Sequence, residues 1–170
     1  FVSGADYNFH TREHALKAWR TRDGECQASF DGGQKRTNAV AVTADAKYLV
    51  SSHMGARARL WEADSGKLLH ELEAAPLEAQ TLTVTPDGRL VVGAWCAMAN
   101  NTKPSLMFWE LSSGRLLRVV EAHRNFLWAM ALSADGTRLA TYGANENLAI
   151  WNLAEATIDY GFKPDAGRPR

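Results

Sequence analysis

The sequence predicts an all-β chain in which one four-stranded antiparallel unit recurs about four times. Two registers and one texture predict it. Trp19, Trp61, Trp109 and Trp151 stand 42, 48 and 42 residues apart. Each ends a short apolar stretch: Ala-Leu-Lys-Ala-Trp, Arg-Ala-Arg-Leu-Trp, Ser-Leu-Met-Phe-Trp and Asn-Leu-Ala-Ile-Trp. A turn marker keeps the same step: Thr-Ala-Asp-Ala at 43–46, Thr-Pro-Asp-Gly at 85–88 and Ser-Ala-Asp-Gly at 133–136, centred on Asp45, Asp87 and Asp135. Five residues after each Trp come Gly24, Gly66, Gly114 and Ala156, and eleven after it Phe30, Leu72, Val120 and Phe162. Between these markers the residues alternate with the period of two that belongs to strands.

The elements follow in order within each unit. The first strand reads Ala39-Val-Ala-Val42, Thr81-Leu-Thr-Val84 and Ala129-Met-Ala-Leu132. Small residues alternate with large ones, the pattern expected of a sheet packed on both faces. The Asp-Gly turn suits a tight hairpin, because Asp bonds its own backbone and Gly accepts positive φ. The second strand then covers 48–51, 90–93, 139–141 and 1–3. The third ends on Trp, and the fourth follows a Ser-Gly or Asp-Gly turn, as in Lys67-Leu-Leu-His-Glu-Leu and Arg115-Leu-Leu-Arg-Val-Val. The units divide the chain into 1–32, a partial unit lacking its first strand; 33–74; 75–122, with a loop insertion; 123–162; and a Pro- and Gly-bearing tail at 163–170.

Composition narrows the function. The 170 residues are 46% hydrophobic and 22% charged, as in an ordinary globular domain. Lys plus Arg is 19 and Asp plus Glu is 19, so no net charge attracts nucleic acid or an anionic membrane. The longest apolar run, 90–99, is half of the roughly twenty residues that a membrane-spanning helix needs. Two cysteines, Cys26 and Cys96, build neither a disulfide framework nor a Cys-x-x-Cys zinc site. No cofactor is implied, and a cytoplasmic setting is the working expectation.

A four-stranded unit of about 42 residues with such a turn and a Trp-terminated third strand resembles a blade of the WD-repeat β-propeller family. The letters are degenerate. The family's Trp-Asp pair stands here as Trp19-Arg20, Trp61-Glu62, Trp109-Glu110 and Trp151-Asn152, and its Gly-His survives only as Ala122-His123. The resemblance implies a buried network of His, Ser or Thr, Asp and Trp. The residues predict it only in the last unit, from His123, Thr141, Asn145 and Trp151.

A ring of about seven blades takes roughly 300 residues. Phe1 aligns with Leu49, Val91 and Leu139 in mid-strand, so the expectation is a piece of a larger propeller, an incomplete ring finished by further blades of the same chain. The alternative is two copies joined into one ring.

Loops on a rigid scaffold carry binding. Two units are six residues longer than the others, between the second and third strands, at Asp6–His14 and Trp95–Pro104. The resemblance places these insertions on one rim with the connections between blades. The candidate protein-binding residues there are Tyr7, Phe9, His10, His53, Trp95, Asn101, Lys103, Arg124, Phe126 and Trp128, aromatics beside polar groups. His10-Thr-Arg-Glu-His14 has the spacing of an inverted zinc-peptidase motif but lacks helical periodicity, so it reads as a solvated loop. Asn100-Asn101-Thr102 is a glycosylation pattern only. Arg57 and Arg59 read as outward residues making surface ion pairs. No nucleophile elbow, phosphate loop or Cys/His pair occurs, and the inner strands present chiefly Ala and Thr. The resemblance therefore implies a non-catalytic platform for a protein or peptide. A regulatory domain of a larger signalling enzyme and a propeller enzyme are the competing readings.

Overall fold

The computed structural model describes residues 2–4, 15–31, 36–73, 79–95, 104–123, 127–143, 147–155 and 157–162. Every regular element among them is a strand. The first sheet contains β1 (Val2–Gly4), β2 (Ala15–Trp19) and β3 (Cys26–Asp31). The second contains β4 (Thr37–Val42), β5 (Tyr48–His53), β6 (Arg59–Glu62) and β7 (Leu68–Glu71). The third contains β8 (Thr81–Val84), β9 (Leu90–Trp95), β10 (Ser105–Glu110) and β11 (Leu116–Glu121). The fourth contains β12 (Leu127–Leu132), β13 (Arg138–Gly143), β14 (Asn147–Asn152) and β15 (Thr157–Phe162). Strands pair antiparallel in chain order within each sheet, giving propeller blades in an open series.

Alternation decides which neighbour each side chain meets. Adjacent residues of one strand point to opposite faces. Leu49 and Trp61 accordingly pack with Leu16, Ala18, Ala28 and Phe30 of the first blade. Their chain neighbours Val50 and Leu60 pack with Leu82, Val91 and Trp109 of the third. One step on, Val92, Leu106 and Phe108 meet Leu139, Ala149 and Trp151 of the fourth blade. Each blade is thus covered by its neighbours rather than by a core of its own, the arrangement of a repeat array. Phe30 and Trp61 meet edge to face, centroids 5.7 Å apart, a favoured aromatic geometry.

The far face of the fourth blade departs from the expectation of two dry faces. Ala129 and Ala131 are exposed and Tyr142 is 41% exposed, because no described strand lies beyond them. The matching face of the second blade, with Ala39 and Ala41, packs against the third.

The turns hold their register by side chains. Asp45 Oδ1 accepts from the Thr43 hydroxyl at 2.6 Å and the Lys47 N–H at 3.1 Å. Asp87 repeats this with Thr85 and Arg89, and Asp135 with Ser133 and Thr137. The residue after each Asp has positive φ: Gly88 at 68° and Gly136 at 71°, but Ala46 at 58°. A side chain in that left-handed region is strained.

All four Trp positions share a further irregularity. The register shifts between Ala18 and Trp19, Leu60 and Trp61, Phe108 and Trp109, and Ile150 and Trp151. One extra residue on the outer strand bulges there, which increases local twist.

Candidate functional site

Antiparallel order puts the first-to-second and third-to-fourth strand turns on one rim. The second-to-third loops and the blade connections lie on the other, where the binding residues were expected. Tyr7, Phe9, His10, Asn101, Lys103, Arg124 and Phe126 lie outside the described residues, as do the His10–His14 motif and Asn145. Trp95 ends β9, its backbone paired with Ser105.

His53 requires correction: it ends β5 at this rim but is fully buried, so it is not available for binding there. On β5 it shares a face with Leu49 and Ser51, and this turns it toward Trp61. The Trp61 indole N–H donates to Ser51 Oγ at 2.7 Å. Ser51 Oγ lies 2.8 Å from His53 Nε2, and Thr37 Oγ1 lies 3.4 Å from Nδ1. The Ser51 oxygen, which accepts from the indole, keeps a proton and a second lone pair for Nε2, so it can serve either tautomer of a neutral imidazole. Burial, and then the charge of nearby Arg59, push the His53 pKa down to about 4, in keeping with that state. The Ser-His contact is not a nucleophile and base, since Ser51 has no exposure to a substrate.

The second blade therefore contains a network that was expected only in the last. Its histidine comes from the second strand, not from the connection before the blade. In the fourth blade, Trp151 donates to Thr141 Oγ1 at 2.8 Å, and His123 Nε2 lies 2.8 Å from that oxygen. Burial lowers the His123 pKa as well.

The third blade solves the same problem differently. Gly93 stands where Ser51 and Thr141 stand, and a Cβ there would come 2.9 Å from the Trp109 ring. The indole fills that space and donates instead to the Glu73 carbonyl at 3.0 Å. Glu73 is held in turn: its N–H donates to the Gly114 carbonyl at 2.7 Å, and its carboxylate accepts from the Leu116 N–H at 2.8 Å.

Arg59 also differs from its outward reading. Its side chain is only 19% exposed, with Nε 3.2 Å from Glu71 and the guanidinium 5.9 Å from the Trp61 ring centroid. Arg57 precedes the strand and is exposed.

Trp128 is 66% exposed. It is the extra residue where β12 shifts register against β13, between Leu127 paired with Gly143 and Ala129 paired with Tyr142. The bulge frees its side chain from the alternation that would bury one face. Met54, just past β5 on the same rim, is 59% exposed. Sequence reading missed it, since a lone Met after a strand carries no signal.

A sequence model for a family described as "WD domain, G-beta repeat" matches residues 114–152. That segment includes His123, Asp135, Thr141 and Trp151. That stretch is a WD repeat, and the relatives of the chain include proteins named for WD repeats. The chain is 28% identical over 103 residues to human WD repeat and SOCS box-containing protein 1, covering 60% of this chain and 23% of that one. It is 31% identical over 120 residues to the CCR4-associated factor 4 homolog of Candida glabrata, covering 64% and 20%. With the small ribosomal subunit protein RACK1y of Oryza sativa subsp. japonica it is 23% identical over 149 residues, covering 84% and 42%. The chain thus spans less than half the length of each of these relatives. The likeness supports a protein-interaction scaffold in general.

Proposed function

We propose that the chain is a non-catalytic scaffold that binds a protein or peptide on the rim of the blade connections, with Trp128 as an anchor. The exposure of Trp128 carries the reading. A tryptophan held on rigid strands at a bulge is the kind of residue that dominates interface energy once it is covered. Relatives named as a SOCS box-containing protein and as a ribosomal subunit protein are in keeping with a role inside assemblies. The open face with Ala129, Ala131 and Tyr142 supports a second element of the proposal. Another blade, from the same chain or a second copy, covers it by the packing that joins the second blade to the third.

The test is photo-crosslinking of the full-length protein in its source cells, with a benzophenone side chain placed at position 128 or, for comparison, at the outer-strand position 117. The expected result is a defined protein adduct from position 128 that position 117 does not give. Identical adducts from both positions, or none from 128, overturn the reading.

A further inference from the structure

On the rim opposite Trp128, the turns differ between blades in their charge. Two residues after the turn Asp, the second and third blades carry a cation that pairs with that Asp. Lys47 Nζ lies 3.6 Å from Asp45 Oδ2, and Arg89 Nε lies 3.8 Å from Asp87 Oδ2. The fourth blade has the neutral Thr137 there, whose N–H and hydroxyl reach Asp135 Oδ1 at 3.0 and 2.9 Å.

Beside this turn, the third and fourth blades part to leave a cleft of about 470 Å³, within the size range of pockets that hold ligands. The two turns approach closely: a Cβ on Gly136 would stand 2.8 Å from Pro86 Cδ. Pro86, Leu90 and Leu153 give the cleft apolar walls, and Asp87, Asp135 and Thr137 give it polar ones. The Ser133 and Thr85 hydroxyls and the following backbone N–H groups hold both carboxyls below the usual range, Asp135 to about 2. Both are therefore ionised at any physiological pH.

We propose that this cleft between blades receives an arginine side chain presented by a partner protein. The stem lies along Pro86, Leu90 and Leu153, and the guanidinium turns to the Asp87 and Asp135 carboxylates. Arginine fits better than lysine because its planar head offers several donors and sheds water more easily, while its stem packs on apolar walls. The partner thereby supplies, in trans, the cation that Lys47 and Arg89 supply to the two preceding turns. This site is separate from the Trp128 rim and stands or falls independently of it.

The probe is the peptide acetyl-Gly-Arg-Gly-amide, titrated into the isotope-labelled chain while backbone amide shifts are followed. The expected result is saturable shifts at Thr137, Leu153 and Asp87, absent with the uncharged citrulline peptide and weaker with the lysine peptide. Asp135→Asn keeps the turn's hydrogen-bond acceptor and weakens binding by about fivefold, the scale of an exposed ion pair. Thr137→Arg restores the blade's own cation and blocks the peptide while the spectrum stays folded. Should Asp135→Asn disturb the turn, Thr137→Arg alone decides. Equal shifts from the citrulline or lysine peptide, or wild-type binding by Thr137→Arg, overturn the proposal.

Discussion

Replacing Gly93 by Ser writes into the third blade the hydroxyl that Ser51 and Thr141 supply to the second and fourth, and the structure predicts that it destabilises. An added Cβ would lie 2.9 Å from Trp109 Cζ3, 3.1 Å from Ala79 Cβ and 3.2 Å from Leu82 Cδ2. All three neighbours are buried, and overpacking of this kind costs about 1–3 kcal/mol. The new hydroxyl finds the indole already bonded to the Glu73 carbonyl. Either the hydroxyl or the carbonyl is left unpaired, for about 1–3 kcal/mol more. Together these give about 2–6 kcal/mol, a fall in Tm of roughly 4–24 °C for a chain of this size. Urea unfolding followed by tryptophan fluorescence, with thermal melts by circular dichroism, measures it, and Gly93→Ala isolates the packing part. A Gly93→Ser protein that melts at or above the parent temperature refutes the reasoning. It would mean that Trp109 swings back to the hydroxyl at little cost.

Two further outcomes follow from the turns and the histidines. Ala46→Gly relieves about 1–2 kcal/mol of left-handed strain and gives back about 0.4–1 through the freer unfolded chain. The net is a gain of up to about 1.6 kcal/mol in stability, and a lower denaturation midpoint contradicts it. The pH dependence has a sign set by the histidines. The folded-state pKa of His53 lies near 4, against 6.5 for the free side chain. The unfolded chain therefore binds the extra proton first. Stability is full above about pH 6.5 and falls steadily as the pH drops toward 4, with His123 acting in the same direction. The depressed pKa values of Asp87 and Asp135 add their own loss only below about pH 4. Unfolding free energies at pH 7.5, 5.5 and 4.5 check this. His53→Gln keeps an acceptor for Ser51 and flattens the slope, and a parent profile already flat over that window disproves the assignment.

The repeat was legible because its markers are local. A turn Asp bonds to backbone two residues away, and the third-strand Trp must be large wherever two blades meet, so both leave fixed letters. The network of the second blade was not legible, because the family resemblance directs attention to the connection before the blade. There the chain has Gly32-Gly33 in place of a histidine. A period-two reading from Leu49 through Ser51 to His53 could have found it, since these residues share the face that carries Trp61. Gly93 was hidden for another reason. A glycine in a strand tells nothing of the ring that fills its space, and the partner Trp109 uses instead lies 36 residues earlier. Trp128 was legible as a candidate, but its bulge was not, because an extra residue in one strand shows only against its partner.

Glu73 closes the second blade in sequence, yet all three of its bonds described above go to the third: to Gly114, Leu116 and Trp109. Arg118 of the third blade likewise reaches the Glu155 carbonyl of the fourth at 2.6 Å. The boundary of a repeat and the boundary of a cooperative unit therefore do not coincide. In a linear array, the term coupling neighbours sets whether units melt singly or together. Here that term holds directional bonds as well as apolar contact. A cut after residue 72 would strip the third blade of its indole acceptor, so the smallest excisable piece begins inside the blade before it.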